Sequence, residues 1–135
     1  MTHVGWRRHD EVGAASVVQT VIVAPALLLM LMVIVQFALF EHAQSVAEDA
    51  AQQGAEVARR FDGSEATAHD EAERYLTALG PKMLTSHSIT VRRTQQQATV
   101  TITGRVISLV PGIHLRIRET SVGPTERYVP PTEEN

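Results

Sequence analysis

Apolar side chains crowd one end of this chain. No charged residue occurs from residue 12 to residue 40, and residues 17–40 are almost wholly apolar. As a helix rising about 1.5 Å per residue, residues 17–40 span about 36 Å. That crosses a hydrocarbon core of about 30 Å with some tilt. A domain this small lacks the surface to bury such a helix on every side. A cleaved export signal is the nearer competitor, but its apolar stretch runs to about 7–15 residues and ends at a small-x-small site. Here Glu41-His42-Ala43 puts a carboxylate where a small side chain is needed. The pattern predicts an uncleaved transmembrane helix over residues 16–40, preceded by a short segment, residues 1–15.

Helical spacing continues past the apolar run. Ala43, Ala47, Ala50, Ala51, Gly54 and Ala58 recur on one side, with Val46, Val57 and Phe61 beside them and acids and amides over much of the remainder. No breaker occurs before Asp62-Gly63, so one helix of about 65 Å is predicted over residues 16–60. The small-residue stripe suits close approach of a second backbone, although alanine is also the best helix former. Its partner is either this chain's own domain or a helix of another subunit.

A second helix follows the Asp62-Gly63 turn. Asp62 with Glu65 fits a capping box, and Ser64 is the alternative cap. Ala68, Ala72, Tyr75, Leu76 and Leu79 form its apolar face, and Gly80-Pro81 ends it. Alternation then predicts strands over residues 88–92 and 98–103, joined by a hairpin loop at 93–97. Gly104 reads as a bulge. A third strand is predicted over residues 114–118, after the Val110-Pro111-Gly112 turn. From Gly123, with Pro124, Pro130 and Pro131, the chain reads as irregular, and residues 129–135 as a flexible tail. The fold class is α+β: a long N-terminal helix, a second helix, then a small antiparallel sheet of about three strands. Residues 41–128 form the domain outside the membrane.

Composition narrows the function. The 135 residues allow one small domain beside the anchor. Net charge is −3 and aromatics make up 4%, which argues against a polyanion-binding or base-stacking surface, so no nucleic-acid partner is expected. Cysteine is absent and the six histidines lack ligand spacing, so neither metal nor cofactor is expected. No phosphate loop or nucleophile motif occurs, and the chain reads as non-enzymatic.

Arg7 and Arg8 precede the apolar run and no Lys or Arg follows it until Arg59. The positive-inside rule therefore puts the N-terminus in the cytoplasm and the domain outside. Within the run, Pro25 removes a backbone donor and predicts a kink. Gln19, Thr20 and Gln36 either sit near the two interfaces or seek partners on a neighbouring helix. Charge is segregated: residues 41–73 hold nine acids and two arginines, residues 86–118 five arginines and no acid. Those faces either complement each other within or between subunits, or are simply solvated.

The ordered set Gly13-Ala14-Ala15-Ser16-Val17-Val18-Gln19-Thr20-Val21, Gln36-Phe37, His42-Ala43-Gln44, Ala50-Ala51-Gln52-Gln53-Gly54-Ala55, Leu79-Gly80-Pro81, Val110-Pro111-Gly112 and Ser121-Val122-Gly123-Pro124-Thr125-Glu126-Arg127-Tyr128 resembles TadE-like proteins in their actinobacterial form. These are minor pilins or pseudopilins of the tight-adherence (Flp) pilus. The resemblance implies a role in assembling or tuning such pili, beside other pilin-like or assembly proteins in the cytoplasmic membrane. It also implies a prepilin-peptidase site after Gly13, before Ala14. Many relatives carry a glutamate five residues after that glycine; here Val18 stands there and Gln19 follows, a departure that argues for an uncleaved chain. From the residues alone, a signal-anchored extracytoplasmic binding or sensor module is the alternative, and a membrane-bound hydrolase ranks third.

Overall fold

The structure, a computed structural model, describes residues 9–127, with side-chain surroundings from residue 17 onward. The expected tail at 129–135 and the first part of the expected N-terminal segment lie outside the described residues. Helix α1 runs His9–Arg59, 51 residues without a break. It starts before residue 16, since only Gly13 disfavours helix in the preceding stretch. Helix α2 spans Glu65–Leu79. Strands β1 (Leu84–Arg93), β2 (Gln97–Val106) and β3 (Arg116–Pro124) form an antiparallel sheet in the order β1-β2-β3.

Several boundaries differ from the sequence pattern. Ser64 caps α2: its Oγ accepts from the Thr67 amide at 3.1 Å, and Thr67 Oγ1 accepts from the Ser64 amide at 3.1 Å. The Asp62–Glu65 box does not form, because Glu65 Oε1 instead accepts from the Arg93 amide at 2.8 Å. Leu79 ends α2 exposed, since the chain turns away at Gly80. Gly104 is not a bulge; it pairs in register with His87 and Ile117, and the irregularity falls between Leu84 and Ser86. The third strand starts at Arg116, not 114, and continues through Pro124. Its inward positions after Ile117 are Glu119, Ser121 and Gly123, which carry no apolar alternation.

Both helices cover one face of the sheet. Ala98, Val100 and Ile102 of β2 point into that layer and are buried, while Thr99, Thr101 and Thr103 face outward. On the outer face Thr101 and Thr120 hydroxyls meet across the strands at 3.2 Å. The core between helices and sheet is thin. Of fifteen buried apolar residues nine are alanine, and the largest fully buried side chains are Ile102 and Val100. Ala43, Val46, Ala47, Ala50, Ala51 and Ala55 of α1 pack with Ala72 and Leu76 of α2, the β2 residues and Ile117. Ala58, Ala68 and Ala98 make a smaller cluster further along.

Gly54 marks the tightest point. A Cβ there would lie 3.1 Å from the Ala68 carbonyl oxygen, 3.1 Å from Ala72 Cβ and 3.4 Å from Val100 Cγ1. Leucine at position 54 has no room, whereas Gln53 is exposed. Both substitutions raise or preserve helix propensity. Gly54→Leu should therefore cost about 1–3 kcal/mol of domain stability through overpacking, with Gln53→Leu near neutral. Urea unfolding of the detergent-solubilised variants checks this; equal midpoints would show that the contact yields without cost.

Candidate functional site

Helix α1 is one helix with two differently covered halves. Its segment Val17–Arg59 is long and apolar enough to cross a membrane, and only 6% of its most apolar window is buried. Val17, Ile22, Leu28, Met30, Ile34 and Phe37 are all exposed. The small residues beyond it are covered. Ala43, Ala47, Ala50, Ala51, Gly54 and Ala58 are buried against α2 and the sheet of the same chain. Alanine and glycine let three backbones meet where larger side chains would hold them apart.

Polar residues of the apolar half divide into two kinds. Gln19 and Thr20 are exposed on the helix surface. Pro25 lies inside α1, which continues through it. Gly13 and Ala14 lie within the helical backbone of α1. Gln36 is different: it is 4% exposed, the buried polar residue of the described chain. Its Nε2 donates to the Ile107 carbonyl at 3.1 Å, and its Oε1 accepts from the Leu109 amide at 2.7 Å. One amide group thus satisfies a donor and an acceptor of the loop joining β2 to β3. Sequence spacing gave no hint of this, because the partners lie 71 and 73 residues away.

The far end of α1 is tied as firmly. The last carbonyls of a helix lack intrahelical donors and carry partial negative charge. Arg93 of β1 donates through Nε to the Ala58 carbonyl at 2.8 Å and through Nη2 to the Arg60 carbonyl at 3.1 Å. The Glu126 amide donates to the Arg59 carbonyl at 2.9 Å. The Thr125 amide and the Arg127 guanidinium donate to Gln96 and Gln95 carbonyls. Residues 125–127, read as irregular, are thus moored to the β1–β2 hairpin. A Cβ at Gly123 would collide with the Arg59 side chain, which lies across it.

Little of the segregated charge is paired. The His87 imidazole of β1 hydrogen-bonds the Glu73 carboxylate of α2 at 2.9 Å, the side-chain contact of histidine and acid from helix to strand among the described residues. The other pairs, Glu56 with Arg60, Asp70 with His69 and Glu71 with Arg74, stay within α1 or α2 or their ends. The Glu71 carboxylate, by hydrogen bond and charge, raises the already high pKa of the exposed Arg74 guanidinium. Arg92, Arg105, Arg116 and Arg118 are exposed, with no carboxylate in ion-pair range among the described residues. An open cleft of about 910 Å³ near the end of α1 is lined by Phe61, Glu65, Arg93, Glu126 and Arg127 among others, and Glu65, Arg93 and Arg127 are engaged in the contacts above. No group of three metal-ligating side chains occurs among the described residues.

Residues 13–56 match the family model described as TadE-like protein. The match covers the apolar half of α1 and its small-residue stripe as far as Gly54, and it ties that segment to a pilus-associated family. No curated protein and no solved structure matches the chain.

Replacing Gln36 with leucine removes both bonds at once, each worth about 0.5–1.5 kcal/mol, and frees the Ile107 carbonyl and the Leu109 amide. Gln36→Leu should accelerate hydrogen exchange at the Leu109 amide while the Ile102 amide in the core keeps its protection. Unchanged exchange at Leu109 would show that the loop holds its place without the clamp.

Proposed function

We propose that this chain is a membrane-anchored, non-enzymatic assembly or structural protein of a Flp/Tad-type pilus or secretion system, working as a minor pilin or pseudopilin does. The observation that carries the reading is α1 itself. One unbroken helix is bare and apolar in its first half and forms the spine of an α+β domain in its second. The TadE-like match runs across both halves.

In this reading the chain crosses the cytoplasmic membrane once. Residues 1–15 lie on the cytoplasmic side, residues 41–128 form the extracytoplasmic domain, and residues 129–135 are its tail. Arg7 and Arg8 before the span support that orientation. Gly13 and Ala14 flank the candidate processing position. The residue five beyond Gly13 is Val18, and Gln19 next to it can hydrogen-bond to a neighbouring subunit's amine but cannot neutralise it. In this reading the departure at Val18 and Gln19 argues against processing, and the chain remains in the membrane. Because the small-residue stripe is consumed inside the chain, partners meet the apolar half of α1, where Gln19 and Thr20 are exposed, or the outer face of the sheet.

Alkaline phosphatase fused after Val129 should be active; an inactive fusion, with an active cytoplasmic reporter at the same site, reverses the orientation. Deleting the gene in its native host should remove or alter surface pili and be complemented by the intact gene. Unchanged piliation would sink the pilus role. Mass spectrometry should find the N-terminus uncut at Gly13, and a mature chain starting at Ala14 would restore processing.

A further inference from the structure

The loop between β2 and β3 does not have the character of a water-facing turn. Ile107, Leu109 and Ile113 are exposed at 37%, 42% and 37%, and residues 107–113 carry no charge. The loop is hydrogen-bonded to Gln36, which lies within the apolar run of α1, four residues before its end at Phe40. Four residues of helix are about 6 Å. The loop therefore reaches back beside the part of α1 that the membrane surrounds.

Irregular backbone is tolerated at that depth only if its polar groups are satisfied by protein. The loop meets that condition in part, at the groups beside Gln36 and within its own turn, which suits the hydrated interface rather than the hydrocarbon interior. The Ile107 amide donates to the Met83 carbonyl at 2.9 Å and the Ile107 carbonyl accepts from Gln36. The Leu109 amide donates to Gln36 at 2.7 Å. The Val110 carbonyl accepts from the Ser108 hydroxyl at 2.9 Å and from the Ile113 amide at 3.2 Å. Pro111 has no amide hydrogen to satisfy.

Charge completes the pattern. Arg105 and Arg116 stand opposite each other in the β2–β3 register, on either side of the loop, and both are exposed. Apolar side chains below and arginines above match the order of acyl chains and phosphates at a membrane surface.

We propose that residues 107–113 are a second membrane contact: the loop rests in the lipid–water interface beside α1, with Leu109 and Ile113 among acyl chains and Arg105 and Arg116 against lipid phosphates. Interfacial amphipathic helices bury their apolar faces about 5–10 Å into the same boundary, a depth within reach of Leu109 and Ile113. The inference rests on α1 crossing the membrane. The contact commits the occupant of the apolar patch to lipid, because the patch continues the surface of α1 that lipid covers.

The test uses the full chain with Trp6→Phe, which removes the sole tryptophan. Leu109→Trp and Ile113→Trp place reporters at exposed sites, where the new ring displaces no core residue. Val122→Trp, exposed in β3 at the opposite end of the sheet, is the aqueous control, and Leu31→Trp reports the span. Each is reconstituted in phosphatidylcholine–phosphatidylglycerol vesicles, with and without phosphatidylcholine brominated near the headgroup end of its acyl chains or near their methyl end. Emission from positions 109 and 113 should shift to the blue and lose intensity chiefly to the shallow bromine, with Leu31→Trp quenched by the deep one and Val122→Trp by neither. If position 31 is quenched but 109 and 113 behave like 122, the loop contact is wrong and the anchor stands. If 109 and 113 shift to the blue without bromine quenching, protein covers the patch and the lipid contact is wrong. If position 31 is not quenched either, the anchor reading falls with it.

Discussion

Everything in this structure depends on how closely α1 approaches α2 and the sheet. At Gly54 there is no room even for a methyl group without a neighbour giving way. Along the rest of the seam the buried residues of α1 are alanines and Val46. Each buried alanine contributes only about one methyl group of transfer free energy, on the order of 0.8 kcal/mol. Such a core is stable through close packing of backbones, where many weak contacts form at short range. It follows that the second half of α1 cannot be separated from the domain. Taking residues 43–58 away would remove one entire wall of the core, so that stretch belongs to the domain as much as the sheet does.

Hydrogen bonds at two ends complete what the thin core begins. Gln36 holds the β2–β3 loop near the apolar half, and Arg93 with the Glu126 amide holds the C-terminal carbonyls. From Gln36 to Ala58 is about 33 Å of helix. Between these points the alanine seam runs without a gap in the sequence pattern. Both ends use the same logic, in which a side chain from one element satisfies backbone groups that another element cannot pair itself.

The elements with strong local signals were legible in the sequence. The charge-free run, the small-residue stripe, the Gly80-Pro81 stop and the β-branched alternation of β1 and β2 each state their structure in a few adjacent residues. Most of β3 is hidden from the pattern because its inward positions after Ile117 are Glu119, Ser121 and Gly123, so no apolar alternation marks it; at Gly123 the Arg59 side chain lies across the strand instead. The cap of α2 was ambiguous because Asp62, Ser64 and Glu65 all have capping chemistry. What decided between them was Arg93, from a strand far along the chain, whose amide engages Glu65. Gln36 was read as an interface residue or a partner-seeking one, and nothing local could connect it with residues 107 and 109. Long-range polar contacts leave no periodicity to read. The stripe itself was visible, but the choice between an internal and an external partner needed the position of α2.

The continuity of α1 also constrains how the domain moves relative to the apolar half of the helix. No turn, glycine pair or break separates Phe40 from Glu41; the helix passes from the exposed apolar half to the packed half with its hydrogen bonds intact. A flexible linker would let the domain tumble, and this chain has none at that boundary. The one irregular point in the described part of α1 is Pro25, where the Val21 carbonyl loses its usual donor. Pro25 lies eleven residues before Gln36, about 16 Å deeper along the helix. Bending at Pro25 therefore swings the upper helix, the loop at 107–113 and the sheet together as one body. The tilt of residues 26–59 fixes the orientation of the domain, and the clamp at Gln36 keeps the β2–β3 loop beside the apolar half of α1 at every tilt.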